Sequence, residues 1–214
     1  MLPKLLLATN NQAKVREYRH LLQNLPCEVV TLAEQGISTV VAETGQSLED
    51  NARLKAMVLA NESQLLALAD DSGLEVDALG GEPGPLSARY AGEAASDKDR
   101  VSYLLARLKD VPWEKRSARF RCVIALAIPD GEVEFCYGER RGFITFEPRG
   151  EQGFGYDPVF YLPELGKAMA ELSLEVKNQV SHRGQAAREV YQKLEKLTRG
   201  KYFRQNSPNS KREF

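Results

Sequence analysis

The stretch Leu65-Leu66-Ala67-Leu68-Ala69-Asp70-Asp71-Ser72-Gly73 sets how the rest of the chain is read. A short apolar run bounded by turn residues is the pattern of a strand buried on both faces, as in parallel sheets covered by helices. The run stops at Asp70-Asp71-Ser72-Gly73, whose side chains favour a turn, so the strand is expected to end there. Acidic residues at the end of a buried strand lie at the mouth of a sheet, where α/β proteins place ligands. Neighbouring strand side chains point to opposite faces, which leaves one aspartate for a cleft and one for the turn.

The same alternation continues outward. Leu5-Leu6-Leu7-Ala8 is a second buried-strand run, followed by Thr9-Asn10-Asn11 and a helical spacing through Val15, Tyr18, Leu22 and Leu25, with Asn10 or Asn11 as the cap. Ser47, with Asp50 three residues on, opens a helix striped by Ala52, Ala56, Leu59 and Ala60. Ser96 with Asp99 opens another, carrying Val101, Leu104, Leu105 and Leu108. Between Ala118 and Ile128 the apolar period is two, and Pro129-Asp130-Gly131 turns the chain into Val133, Phe135 and Tyr137: a hairpin. Ser181 precedes a last helix with Ala187, Val190, Tyr191, Leu194 and Leu197, stopped at Gly200. The expected fold is α/β with a mixed central sheet flanked by helices, one domain over residues 1–200 and a mobile polar tail over 201–214.

The chain has 214 residues, with 29 basic against 30 acidic side chains and a net charge of −1. That balance argues against a dedicated nucleic-acid partner, which needs a basic excess, but permits cations gathered on one small anion. Cys27, Cys122 and Cys136 lack CxxC spacing, and His20 and His182 are the only histidines, so neither a zinc site nor a disulfide framework is expected. No stretch approaches the roughly 20 apolar residues of a membrane span, and a soluble cytoplasmic protein is expected.

Several segments carry chemistry. Thr9-Asn10-Asn11-Gln12-Ala13-Lys14 puts a hydroxyl, amides and an ammonium at a strand-to-helix junction, where phosphate oxygens find donors, although a plain capped helix has the same pattern. Asp70 and Asp71, with Glu43 upstream, are hard oxygen donors that suit Mg2+. Gly80 to Pro85 is too rich in glycine and proline for a helix and leads into Ser87-Ala88-Arg89-Tyr90. Phe154-Gly155-Tyr156-Asp157-Pro158 combines aromatic faces with a carboxylate, which fits a planar base or a turn over core aromatics. Lys177 and Ser181-His182-Arg183 bring donors to a helix start.

In this order the segments resemble the inosine triphosphate pyrophosphatase family, the XTP/dITP diphosphatases, over roughly residues 4–198. The strongest stretches are Ala69 to Leu79, Pro83-Gly84, Ser87 to Gly92, Phe154 to Pro158 and Ser181 to Arg183. The resemblance implies an elongated sheet in two lobes with a cleft, a homodimer, and Mg2+-dependent hydrolysis of ITP, dITP and XTP to the monophosphate and pyrophosphate. By motif, Thr9 to Lys14 would hold the triphosphate; Asp71 would bind metal and serve as the base, beside Ser72. Phe154, Gly155, Tyr156 and Asp157 would cradle the base, and Lys177, His182 and Arg183 would read its oxygenated edge. Two departures stand out. Ala42-Glu43 replaces the usual pair of glutamates, and Asp50 stands for the usual glutamate of the following helix, leaving Glu43, Glu49 or Asp50 to complete the metal site. A pyrophosphatase of other base preference, or a nucleotide-binding protein with weakened catalysis, are the alternatives.

Overall fold

The computed structural model describes residues 3–198, the side chains of 195–198 excepted; the stop at Gly200 and the tail 201–214 lie outside the described residues. In chain order the elements are β1 (Lys4–Leu7), α1 (Gln12–Leu21), β2 (Glu28–Thr31), α2 (Leu48–Ser63), β3 (Leu66–Val76), β4 (Pro83–Gly84), α3 (Asp97–Arg107), β5 (Ser117–Ala127), β6 (Val133–Ile144), β7 (Phe160–Leu162), β8 (Lys167–Ala168), α4 (Leu174–Val180) and α5 (His182–Thr198). The strands form one mixed sheet of order β2-β1-β3-β5-β6-β7-β8, with β4 paired to β3. β1 runs parallel to both β2 and β3, whereas β7 is antiparallel to β6 and β8. This is the mixed α/β architecture the sequence pattern predicts.

The chain divides into two units, and the first of the three strands that pass between them crosses at Asp71-Ser72. The first unit holds β1, α1, β2, α2 and the start of β3. There Leu6, Ala8, Ala67 and Ala69 pack with Ala52, Ala56, Leu59 and Ala60 of α2. Small side chains on both surfaces let that helix approach the sheet closely. The intervening residues Leu5, Leu7, Leu66 and Leu68 are buried too, so these strands have no solvent face, which is why they read as continuous apolar runs. The second unit holds β4, α3, β7, β8 and α4. Its core joins Leu74 and Val76 to Val101, Leu104 and Leu108 of α3, and to Phe120, Phe160 and Met169.

The predicted turn at Asp70-Asp71-Ser72-Gly73 does not form; β3 runs straight through it to Val76. Both aspartates find partners on neighbouring helices, so neither folds back on its own backbone. Beyond them Leu74 and Glu75 pair with Gly84 and Pro83 of β4, and the Ser87 hydroxyl accepts the Leu74 N–H at 2.8 Å. Gly73 is needed for this approach, because a Cβ there would strike the Gly84 carbonyl.

Candidate functional site

In the first unit, β1 delivers the chain to the N-terminus of α1. The Asn11 side chain caps that helix, accepting from the N–H groups of Ala13 at 2.9 Å and Lys14 at 3.2 Å. Thr9 Oγ1 accepts the Asn11 N–H at 3.2 Å. Asn10, Asn11 and Gln12 are exposed, with Thr9 and Ala13 half-buried. One turn into α1, Lys14 ion-pairs with the Asp70 carboxylate and donates to the Asp70 carbonyl at 3.2 Å. The buried Tyr18 hydroxyl donates to Asp70 Oδ2 at 2.7 Å. Asp70 therefore faces α1.

Asp71, one residue on, reaches α2. Lys55 Nζ donates to Asp71 Oδ1 at 3.0 Å, to Glu43 Oε1 at 2.9 Å and to the Asp70 carbonyl at 3.1 Å. Asn51, a helical turn before Lys55, is fully buried; its amide donates to Asp71 Oδ2 at 3.2 Å, and its carbonyl accepts the Gly45 N–H at 2.8 Å. Burial raises the Asp71 pKa above the ordinary aspartate value, against the pull of Lys55 and Lys14 and with the push of Glu43. Burial also lowers that of Lys55, but the Asp71 and Glu43 charges more than offset it, so the ammonium is held above its usual value. Asp71 is thus a carboxylate with an increased appetite for a proton, beside a firmly charged lysine.

Among the described residues no group of three or more His, Cys, Asp or Glu side chains is arranged to hold a metal ion. Glu43 and Asp71 nevertheless converge on one positive charge, the Lys55 ammonium, which shows that their oxygens can share a cation. Two hard carboxylates completed by substrate phosphates are a donor set that fits Mg2+. Asp50 is otherwise engaged: its Oδ2 accepts the Ser47 hydroxyl at 2.6 Å within the α2 cap.

The second unit carries the aromatic loop. Asp157 Oδ2 accepts the Phe154 N–H at 2.8 Å and the Lys177 ammonium at 2.5 Å. Gly153 and Gly155 take φ of +76° and +62°, left-handed values that favour glycine. A Cβ on Gly153 would also collide with the Asp157 carboxylate. Lys177 Nζ and the Arg183 guanidinium lie 4.8 Å and 5.3 Å from the Phe154 ring centroid, within cation–π range. Arg183 donates to Ser72 Oγ at 3.2 Å. The Tyr156 hydroxyl donates to the Ser87 carbonyl at 3.0 Å. His182 is buried with its ring stacked on Phe120, centroids 4.6 Å apart.

The predicted site residues thus fall into two groups. Lys14, Glu43 and Asp71 belong to the first unit with the Thr9–Lys14 loop; Ser72, Phe154 to Asp157, Lys177, His182 and Arg183 belong to the second. Asp71 and Ser72 are joined by a peptide bond. Sequence reasoning missed Lys55, Asn51 and Tyr18. The spacing of four between Asn51 and Lys55, on an alanine-rich helix rising from the Ser47 cap, was the available signal.

The fold and these groups define an α/β protein that carries a lysine-and-carboxylate constellation at a strand–helix junction in one unit and a cation-flanked aromatic loop in the other. The chain belongs to the Ham1 family, whose sequence profile matches residues 5–193. It is 49% identical over 194 residues to a Desulforamulus reducens protein named dITP/XTP pyrophosphatase, covering 91% of this chain and 96% of that one. A Geobacter sulfurreducens protein of the same name is 51% identical over 183 residues, covering 86% and 92%. Among solved structures, a HAM1 protein from Coxiella burnetii superposes with a TM-score of 0.82 at 40% identity, covering 91% of this chain and all of that one. The family resemblance read from the motifs is borne out.

Proposed function

We propose that this protein hydrolyses non-standard purine nucleoside triphosphates, namely dITP, ITP and XTP, to the monophosphate and pyrophosphate. The observation that carries the reading is Asp71, a buried carboxylate of raised proton affinity held between Lys55 and Asn51, in a chain about half identical to proteins named for that activity.

The triphosphate, with about four negative charges, is drawn by the ammonium charges of Lys14 and Lys55 and by the N-terminus of α1, into which the Thr9–Lys14 loop leads. Asn11 keeps that loop at the helix start through its cap. Asp71 takes the proton of the attacking water as the α–β anhydride breaks and pyrophosphate leaves. Asn51 fixes the Asp71 carboxylate from its second oxygen, so the proton acceptor does not rotate away. Glu43 and Asp71 would hold Mg2+, which when bound neutralises phosphate charge and makes a coordinated water more acidic. In the base site, Phe154 offers a stacking face, and Lys177, Arg183 and His182 are the donors for a 6-oxo group. Adenine presents an amino donor there and leaves those groups unpaired, which disfavours ATP. Ser72 positions Arg183. The enzyme acts as a homodimer in the cytoplasm on free nucleotides, without nucleic-acid or membrane partners; no helix among the described residues is long and apolar enough to cross a membrane.

The test is product analysis after incubation with ITP, with and without Mg2+. Equimolar IMP and pyrophosphate, dependent on the metal, are expected. Orthophosphate and IDP, or tight ITP binding with no product, would contradict the reading.

A further inference from the structure

The loop 153–157 is gripped by two carboxylates. Asp157 holds it from within, through the Phe154 N–H. Asp97 holds it from outside: its Oδ2 accepts the Gly155 N–H at 2.7 Å. Asp97 is the first residue of α3, and its other oxygen pairs with Arg100. Arg100 in turn donates to the carbonyls of Ala88 at 2.9 Å and Ala95 at 2.6 Å. The Tyr156–Ser87 hydrogen bond ties the next residue to the same segment. Gly155 and Tyr156 are therefore anchored to residues 87–100, while Phe154, just before them, lies beside Lys177 and Arg183.

A charge-assisted bond to a backbone N–H fixes a peptide plane, and here that plane directly follows the aromatic residue. Without it, Gly155 would be free to sample other conformations, because glycine populates negative φ about as readily as positive φ. The Phe154 ring would then lose its set position against the two cations. We propose that Asp97 is a positioning residue for base recognition: through the Gly155 N–H it holds the Phe154 face and the Lys177 and Arg183 donors in register for a purine. This rests on the reading of loop 153–157 as the base site. It assigns Asp97 no contact with substrate and no part in the chemical step.

The two substitutions Asp97→Ala and Asp97→Asn separate the acceptor from the charge and from the fold. The Ser96–Asp99 capping box is independent of Asp97, so α3 keeps its start in both. Steady-state kinetics with ITP, calorimetric ITP binding and inhibition by inorganic tripolyphosphate are measured for wild type and both variants. In Asp97→Ala, KM and Kd for ITP are expected to rise about tenfold, the equivalent of ~1.4 kcal/mol, with kcat within about twofold. Tripolyphosphate inhibition, which reports the phosphate site alone, is expected to stay unchanged. Asp97→Asn keeps an acceptor and is expected within about threefold of wild type. A wild-type KM in Asp97→Ala would overturn the proposal. So would an equal loss of tripolyphosphate inhibition, or an asparagine variant as impaired as the alanine one. Wild-type protein that fails to bind ITP would overturn the functional reading and the proposal together, which distinguishes that failure from the others.

Discussion

The Asp157–Lys177 ion pair ties the aromatic loop to α4, and its removal has a calculable cost. The two groups are 2.5 Å apart, with side chains only 4% and 3% exposed. At an effective dielectric of 20, opposite unit charges at that separation attract by about 7 kcal/mol, most of which offsets the loss of hydration of each ion. Removing one partner withdraws that attraction from the buried charge left behind, at about 3–5 kcal/mol. Lys177→Met belongs at the lower end, since Asp157 keeps the Phe154 N–H. Asp157→Ala belongs at the upper end, because it takes one acceptor from the ammonium and from that N–H together. Domains of this size lose about 2–4 °C in Tm per kcal/mol, so Lys177→Met is expected to melt about 6–12 °C lower. The assay is urea denaturation of wild type, both single variants and the double variant. The double variant should cost about 3 kcal/mol less than the sum of the singles, because it removes both charges of the pair together. Single variants losing under about 1 kcal/mol, or a coupling within about 0.5 kcal/mol of zero, would refute the reasoning.

Three further outcomes follow from local geometry. Asp71→Asn keeps the hydrogen-bonding shape but not the proton acceptor, so pyrophosphate release from ITP should fall by about 10²–10⁴ with an unchanged circular dichroism spectrum; near wild-type release would exclude Asp71 as the base. Gly73→Ala puts a methyl group onto the Gly84 carbonyl, and overpacking of about 1–3 kcal/mol should lower the urea midpoint; an unmoved midpoint would contradict the close pairing of β3 and β4. The Ser96 hydroxyl, then the Ser96 N–H, hold the Asp99 pKa below the usual carboxylate value. Its stabilisation is therefore complete above the unfolded value of about 3.9 and drains as pH falls through the folded one. Asp99→Asn should flatten the fall of stability below about pH 4, and identical acid limbs in the two proteins would count against it.

Much of the fold was legible because local and tertiary demands agree. The Asn11 cap, the Ser96–Asp99 box and the period of two in β5 and β6 each specify an element without help from distant residues. Asp70 to Gly73 is the instructive exception. Its turn chemistry is real, but Tyr18, Lys14, Asn51 and Lys55, all distant in sequence, satisfy the aspartates and release the backbone to continue as strand. Helix α4, only seven residues long, is too short to display a periodicity of its own. Residues embedded in motifs could be proposed for the site from the sequence, whereas Lys55 could not, because a lysine on a helix normally reads as solvated. Its importance comes from the two carboxylates that converge on it, and neither is near it in sequence. Asp97 was hidden for the same reason, as its partner is the N–H of Gly155.

The most direct measurement is the ratio of kcat/KM for ITP to that for ATP, determined on the purified protein with Mg2+ and with pyrophosphate as the detected product. If Lys177 and Arg183 donate to a 6-oxo group as proposed, ITP should be favoured by on the order of 10²–10⁴. A ratio near one, or in favour of ATP, would contradict a base site that recognises 6-oxo purines.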